Sequence, residues 1–249
     1  MSDLFEPLAS NPAYRQIANR IERKIVEREL RAGDALPSET DLARQFGVNR
    51  STVREAIREL ESHGLLGRQR GEKRLRVTLP RPEQVSSGVS RAMALHDVSF
   101  LDLWETMMAL EPAAAELAAT RRTEQDLAAL ACAGSKFEAA ADTPAGVAAV
   151  VEFFAAVATA SANPVLSMSQ APLNELLAPI LSHMMDAVPQ SRARIIGAQA
   201  AMITAIRRRR REEARTWMEK HIRDFKRGYE VAGIPLQYSV SLQPSAAPG

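Results

Sequence analysis

The sequence predicts a mainly α protein in two parts: an N-terminal unit of three helices plus a β-hairpin, then a unit of helices alone. Three observations predict it. Residues 36–66 read as two short helices meeting at a glycine. An arginine-rich segment with Gly71 at its middle follows, between short β-prone runs. After residue 80 the composition shifts towards Ala, Leu and Met, and every periodic stretch has helical spacing.

Taken in order, residues 1–11 read as a loose arm. Pro12 precedes a helix over 13–29, with Tyr14, Ile17, Ile21 and Ile25 on one face. Ser38 is the next helix cap, with Asp41 as its capping-box partner, and Leu42, Ala43 and Phe46 face inward. Gly47 suits a left-handed corner, and Asn49 is an N-cap for the helix that follows. That helix carries Val53, Ala56, Ile57 and Leu60 on one stripe and Arg50, Ser51, Thr52, Arg54 and Arg58 on the other. Arginine forks match guanine edges and phosphates, and hydroxyls near a helix start suit phosphate oxygens, so the exposed stripe reads as a DNA-reading surface. Helix, glycine corner and second helix form a helix-turn-helix. Leu66 and residues 75–77 form the hairpin, bearing Arg68, Arg70, Lys73, Arg74 and Arg76; after such a helix it reads as a wing.

Residues 80–90, with Pro80, Pro82 and a Ser-Ser-Gly run, read as a linker, with a short helix over 85–95. Further helices are expected over 99–120 (capped by Ser99), 123–140 (Thr123 with Asp126), 143–161 (Thr143 with Pro144), 165–187, 190–210 and 212–231. Gly233 and Pro235 end the last, and 234–249 reads as a flexible tail. The expected domains are thus 10–79, the linker, and 91–233.

The chain of 249 residues carries a net charge of +2. Residues 1–80 hold 15 Lys/Arg against 12 Asp/Glu, so affinity for DNA must come from arranged arginines rather than bulk charge. The single Cys132 rules out an internal disulfide and fits a reducing compartment. No signal peptide or membrane span is read, and a cytoplasmic protein is expected. No nucleophile–base pair, phosphate-binding glycine motif or metal cluster is visible, which argues against an enzyme. The Arg207–Arg211 run sits at a helix end, where cations meet the carbonyl-rich terminus.

The stretch PSETDLARQFGVNRSTVREAIRELESHGLL resembles the winged-helix domain of GntR-superfamily bacterial transcription regulators. The resemblance implies DNA contacts at Arg50, Ser51, Thr52 and Arg54, and a wing tip at Arg70 and Gly71 entering the minor groove; Ser38, Asn49 and Arg58 join the expected DNA contacts from their places at the helix starts and on the exposed stripe. Relatives often carry Arg where this chain has Thr40, which can bond a phosphate but cannot read guanine bidentately. The segments DLWETMMALEPAAAELAA, FFAAVATASANPVL and AMITAIRRRRREEARTWMEKHI resemble the FCD-type domain of the FadR-like branch. That likeness implies an antiparallel helical bundle around an effector cavity, and a homodimer on a palindromic operator. It also implies a divalent metal held by an Asp and three His; here those positions fall on Val150, Phe154, Gln199 and His221. The relatives' carboxylate-gripping Arg falls on Met107. One imidazole makes no metal site, so no metal or cofactor is expected. Met107, Val150, Phe154, Gln199 and His221 are the expected effector pocket, more apolar than in relatives. The reading is a transcriptional regulator, a repressor by resemblance, controlled by a small molecule, for which a hydrophobic compound is weighed against an ordinary packed core. Its alternatives are a helical ligand-binding or enzymatic module tethered to DNA, and a DNA-binding protein without an effector.

Overall fold

A computed structural model describes residues 12–68, 74–80 and 82–240, with only the backbone for 82–85. The chain divides into two compact units, Met1–Val85 and Ser86–Gly249.

In the first unit, α1 (Ala13–Val26), α2 (Glu39–Phe46) and α3 (Arg50–Ser62) precede an antiparallel hairpin of β1 (Leu66–Arg68) and β2 (Leu75–Val77). The hairpin pairs Leu66 with Val77 and Arg68 with Leu75. α1 stops earlier than its periodicity suggests because Arg28 turns left-handed at φ 62°. Ile17, Ile21, Leu42, Val53, Ala56, Ile57 and Leu60 bury into one core with Leu66, Leu75 and Val77. The stripe of α3 therefore does what its spacing requires: it is the apolar hinge between α1, α2 and the hairpin.

The corner between α2 and α3 turns on Gly47, at φ 67° and ψ 37°. A Cβ there would meet no atom within 4 Å, so any penalty is backbone strain alone. We expect Gly47→Ala to lower unfolding stability by about 1–2 kcal/mol, read as a shifted urea midpoint at unchanged slope. An unshifted midpoint would mean the corner relaxes elsewhere.

In the second unit, α4 (Pro82–Leu95) leads into α5 (Phe100–Arg121), α6 (Glu124–Ala139), α7 (Thr143–Ala160), α8 (Pro164–Ala187), α9 (Ser191–Arg207) and α10 (Arg211–Val231). Caps fix most starts. Ser99 with Asp102 and Thr123 with Asp126 form complete capping boxes, and Asn163 caps α8 ahead of Pro164. At α7 the cap is Asp142, accepting from the Ala145 amide at 2.8 Å, rather than Thr143. The Thr143 hydroxyl instead donates to Asp186. α7 is apolar and long enough to cross a membrane, but Val147, Val150, Phe153, Phe154 and Val157 are buried among neighbouring helices; it is the core helix of this unit.

Two boundaries differ from expectation. Most of the supposed linker at 80–90 is the first half of α4, because Pro82 suits a first helical turn. Ser86 and Ser90, both buried, donate from α4 to the Glu175 carboxylate on α8. The supposed tail is not frayed over 234–240. Phe100 and Leu101 amides donate to Tyr238 and Leu236 carbonyls, the Val240 amide donates to Val98 at 2.7 Å, and Val240 is buried. These bonds join positions far apart in sequence, which local turn signals cannot reveal.

The arginine run at the end of α9 is bound up in the unit. Arg209 donates to the Thr120 carbonyl at 2.6 Å, Arg211 and Arg215 pair with Glu116, and Arg210 pairs with Glu213. Arg122 in turn reaches the Arg207 carbonyl at 2.8 Å. Arg209 and Arg122 thus close the C-termini of α5 and α9, where carbonyls lack helical partners, while the other arginines pair with carboxylates.

Candidate nucleic-acid interface and effector domain

Ser38 takes the N-cap of α2, its hydroxyl oxygen accepting from the Asp41 amide at 3.2 Å. Ser38 and Thr40 stay exposed at that end. Asn49 holds the N-cap position of α3, yet its side chain makes no capping bond, so its amide remains available to another partner. Arg50, Ser51, Arg54 and Arg58 are exposed on α3, while Thr52 is half-buried. The structure thus places these four on one solvent face opposite the buried stripe. Arg54 is held across the corner by Glu39, whose Oε2 accepts from Nε at 3.3 Å and Nη2 at 3.2 Å. Sequence spacing gave no sign of that pair, since its members sit on different helices. It sets the Arg54 fork before any ligand arrives.

The hairpin arginines separate into two kinds. Arg68 pairs with Glu61 at 2.9 Å, and Arg76 donates to the Gly33 carbonyl at 2.9 Å, so both brace the unit. Arg74 is exposed. Arg70, Gly71 and Lys73 lie outside the described residues.

In the second unit, Met107, Val150 and Phe154 are 2%, 0% and 0% exposed and belong to one apolar cluster. They fill space rather than line an opening. His221, 1% exposed, lies against Phe154 with ring centroids 5.7 Å apart and against Phe225 at 4.5 Å. Burial alone pushes its pKa down to about 3, so the imidazole is neutral at neutral pH. Gln199 is buried towards α6: a Cβ on Gly134 would lie 3.9 Å from its Oε1. Both amide atoms of Gln199 and the Nε2 of His221 lack partners. The family metal does not fit these residues. A phenyl ring lies where His221 would need a fellow ligand, and no group of three His, Cys, Asp or Glu occurs among the described residues.

Open space touches His221 from another side. Where α8 ends and α9 begins, beside α10, lies a shallow cleft of about 20 Å3, room for roughly one water. Its apolar wall includes Met184, Val188, Ile195 and Phe225. Of the five residues expected to form an effector pocket, His221 alone lines it.

A second buried polar group lies elsewhere in this unit. Glu111 on α5 is wholly buried, and its Oε2 accepts from Gln170 Nε2 at 2.6 Å. Its Oε1 has no partner, and burial pushes its pKa up to about 8.

Comparison with known proteins agrees with this division. The profile for "Bacterial regulatory proteins, gntR family" matches residues 13–73, and that for the FCD domain matches 102–224. A putative L-lactate dehydrogenase operon regulatory protein of Escherichia coli K12 is 31% identical over 215 residues, covering 83% of this chain and 82% of its own. The mannosyl-D-glycerate transport/metabolism system repressor MngR of the same strain is 49% identical over 59 residues, only 24% of this chain and 25% of the relative. A solved structure of Streptococcus agalactiae GntR superposes with a TM-score of 0.59 at 26% identity, over 86% of this chain and 99% of that one. A winged helix-turn-helix followed by an all-helical effector domain defines a DNA-binding transcriptional regulator, not an enzyme. The chain belongs to the GntR family of bacterial regulatory proteins, in the FadR-like group that carries an FCD domain.

Proposed function

We propose that the protein acts as a homodimeric repressor on a palindromic operator in the cytoplasm, with a small molecule in its C-terminal unit controlling DNA affinity. One observation carries the DNA half of this reading: α3 buries Val53, Ala56, Ile57 and Leu60 and turns Arg50, Ser51, Arg54 and Arg58 to solvent. A helix anchored along one side can lie in a major groove without losing its core. Arg50 and Arg54 are the base readers. Ser38, Thr40, Asn49, Ser51, Thr52 and Arg58 serve the phosphates, and Arg70 with Gly71 serves the minor groove. Met107, Val150, Phe154 and Gln199 form the packed floor of the effector unit, and His221 links that floor to the cleft.

Selection of bound fragments from genomic DNA tests the whole reading. We expect enriched fragments to share an inverted repeat with half-site centres about one helical turn apart, and their affinity to fall steeply with salt. Retention of fragments without any common sequence would defeat it.

A further inference from the structure

We infer that Glu55 is a specificity-determining residue of α3, its carboxylate accepting from the N4 amino group of a cytosine in the major groove. The inference rests on the reading of α3 as the helix that enters DNA, and adds an acid to the arginines named above. Residues three and four apart on a helix share a face. Glu55 lies four residues after Ser51 and three before Arg58, so it stands in the middle of the exposed stripe, opposite Val53 and Ile57. A carboxylate there is repelled by every phosphate it approaches, so it adds nothing to general affinity for duplex DNA.

Three other acids of this unit each hold an arginine. Glu39 pairs with Arg54 at 3.2 Å, Asp41 with Arg44 at 2.9 Å and Glu61 with Arg68 at 2.9 Å. Glu55 makes no hydrogen bond or ion pair among the described residues, although Arg58 stands one turn away on the same face. Nor does it serve the core, since the side chains that α3 buries are Val53, Ala56, Ile57 and Leu60. Its capacity to accept is therefore free for DNA. An ionised carboxylate only accepts, so in a groove it gains from a donor and loses against an acceptor. The donors in the major groove are cytosine N4 and adenine N6. Adenine sets its N7 acceptor beside that amino group, which repels a carboxylate, whereas cytosine presents the donor alone. The arginines on the same stripe suit guanine, the partner base of cytosine.

The test uses the full-length protein and selection of bound duplexes from a randomised library, run for wild type, Glu55→Gln and Glu55→Ala. We expect the wild-type consensus to carry a cytosine at one position of each half-site, with other bases there disfavoured by roughly tenfold. Glu55→Gln should change that preference to adenine, because an amide bonds adenine N6 and N7 together. Glu55→Ala should erase the preference at that position and leave the rest of the consensus in place. A residue with a merely structural role would not exchange one base for another. The side chain is exposed, and unchanged circular dichroism would establish that both variants fold. Identical consensus sequences from all three proteins would overturn the inference, as would changes spread evenly over the half-site or confined to a position without cytosine. If the wild type selects an inverted repeat and the variants select the same one, Glu55 falls and the reading of α3 stands. If the wild type selects no common sequence, both fall.

Discussion

Arg50→Ala and Arg54→Ala are each expected to weaken specific operator binding sharply in a mobility shift while leaving the winged-helix unit folded. Both side chains stand on the exposed face of α3, away from the core of Val53, Ile57 and Leu60, so truncation opens no cavity. A bidentate arginine–guanine contact carries about 1–3 kcal/mol of discrimination, so each loss should cost roughly tenfold to a hundredfold in preference for operator over random duplex. The two variants should also differ. Arg54 pairs with Glu39, with both side chains partly solvated, and such a pair adds little to stability. Its value lies in holding the guanidinium in place. Glu39→Gln should therefore weaken operator binding less than Arg54→Ala does, and leave the melting curve almost unchanged. Operator binding by Arg50→Ala and Arg54→Ala at wild-type strength would remove α3 as the reading element.

Glu111→Gln is expected to stabilise the effector unit at alkaline pH and to do little in mild acid. Glu111 is buried, accepting from Gln170 and forming no ion pair among the described residues, so the folded protein keeps it protonated up to about pH 8. The unfolded chain releases that proton near the ordinary value of 4.5. The raised folded value means that the stabilisation is full below 4.5 and is lost progressively as pH climbs towards 8. Each pH unit in that window is worth about 1.4 kcal/mol, so the whole loss is several kcal/mol. His221 slopes the other way. Its folded value is lowered to about 3 from 6.5, so it costs stability as pH falls between those values. The two slopes oppose one another between 4.5 and 6.5, and above 6.5 Glu111 acts alone. Urea unfolding of wild type and Glu111→Gln at pH 6.5 and at about pH 8 checks this: the wild type should weaken across that interval and the variant should not. Parallel behaviour would show that Glu111 already ionises in the folded state.

Much of this was legible in the residues because it depends on near neighbours. Ser99 with Asp102 and Thr123 with Asp126 announce helix starts three residues apart, and Gly47 announces its corner. The stripe of α3 needs only helical spacing. Glu111 also left a trace: it stands four residues after Met107 and three before Ala114, on the buried side of α5. A carboxylate on an apolar stripe is the signature of a perturbed acid. The cleft left no such trace. Ser191, Arg194 and Asp224 meet because the end of α8, the start of α9 and the middle of α10 converge, and no local pattern encodes that meeting. Nor could spacing show that Gln199 would turn towards Gly134.

The return of residues 236–240 along the start of α5 has a bearing on where this effector unit ends. The FCD profile closes at residue 224, in the middle of α10, and a fragment cut to that limit would look complete by similarity. Physically it would be an unlatched box. Tyr229 stacks on Phe100 at 4.1 Å and Val240 is buried in the same cluster, so both belong to the lid over the first turn of α5. The smallest portion able to keep that lid shut extends to Val240.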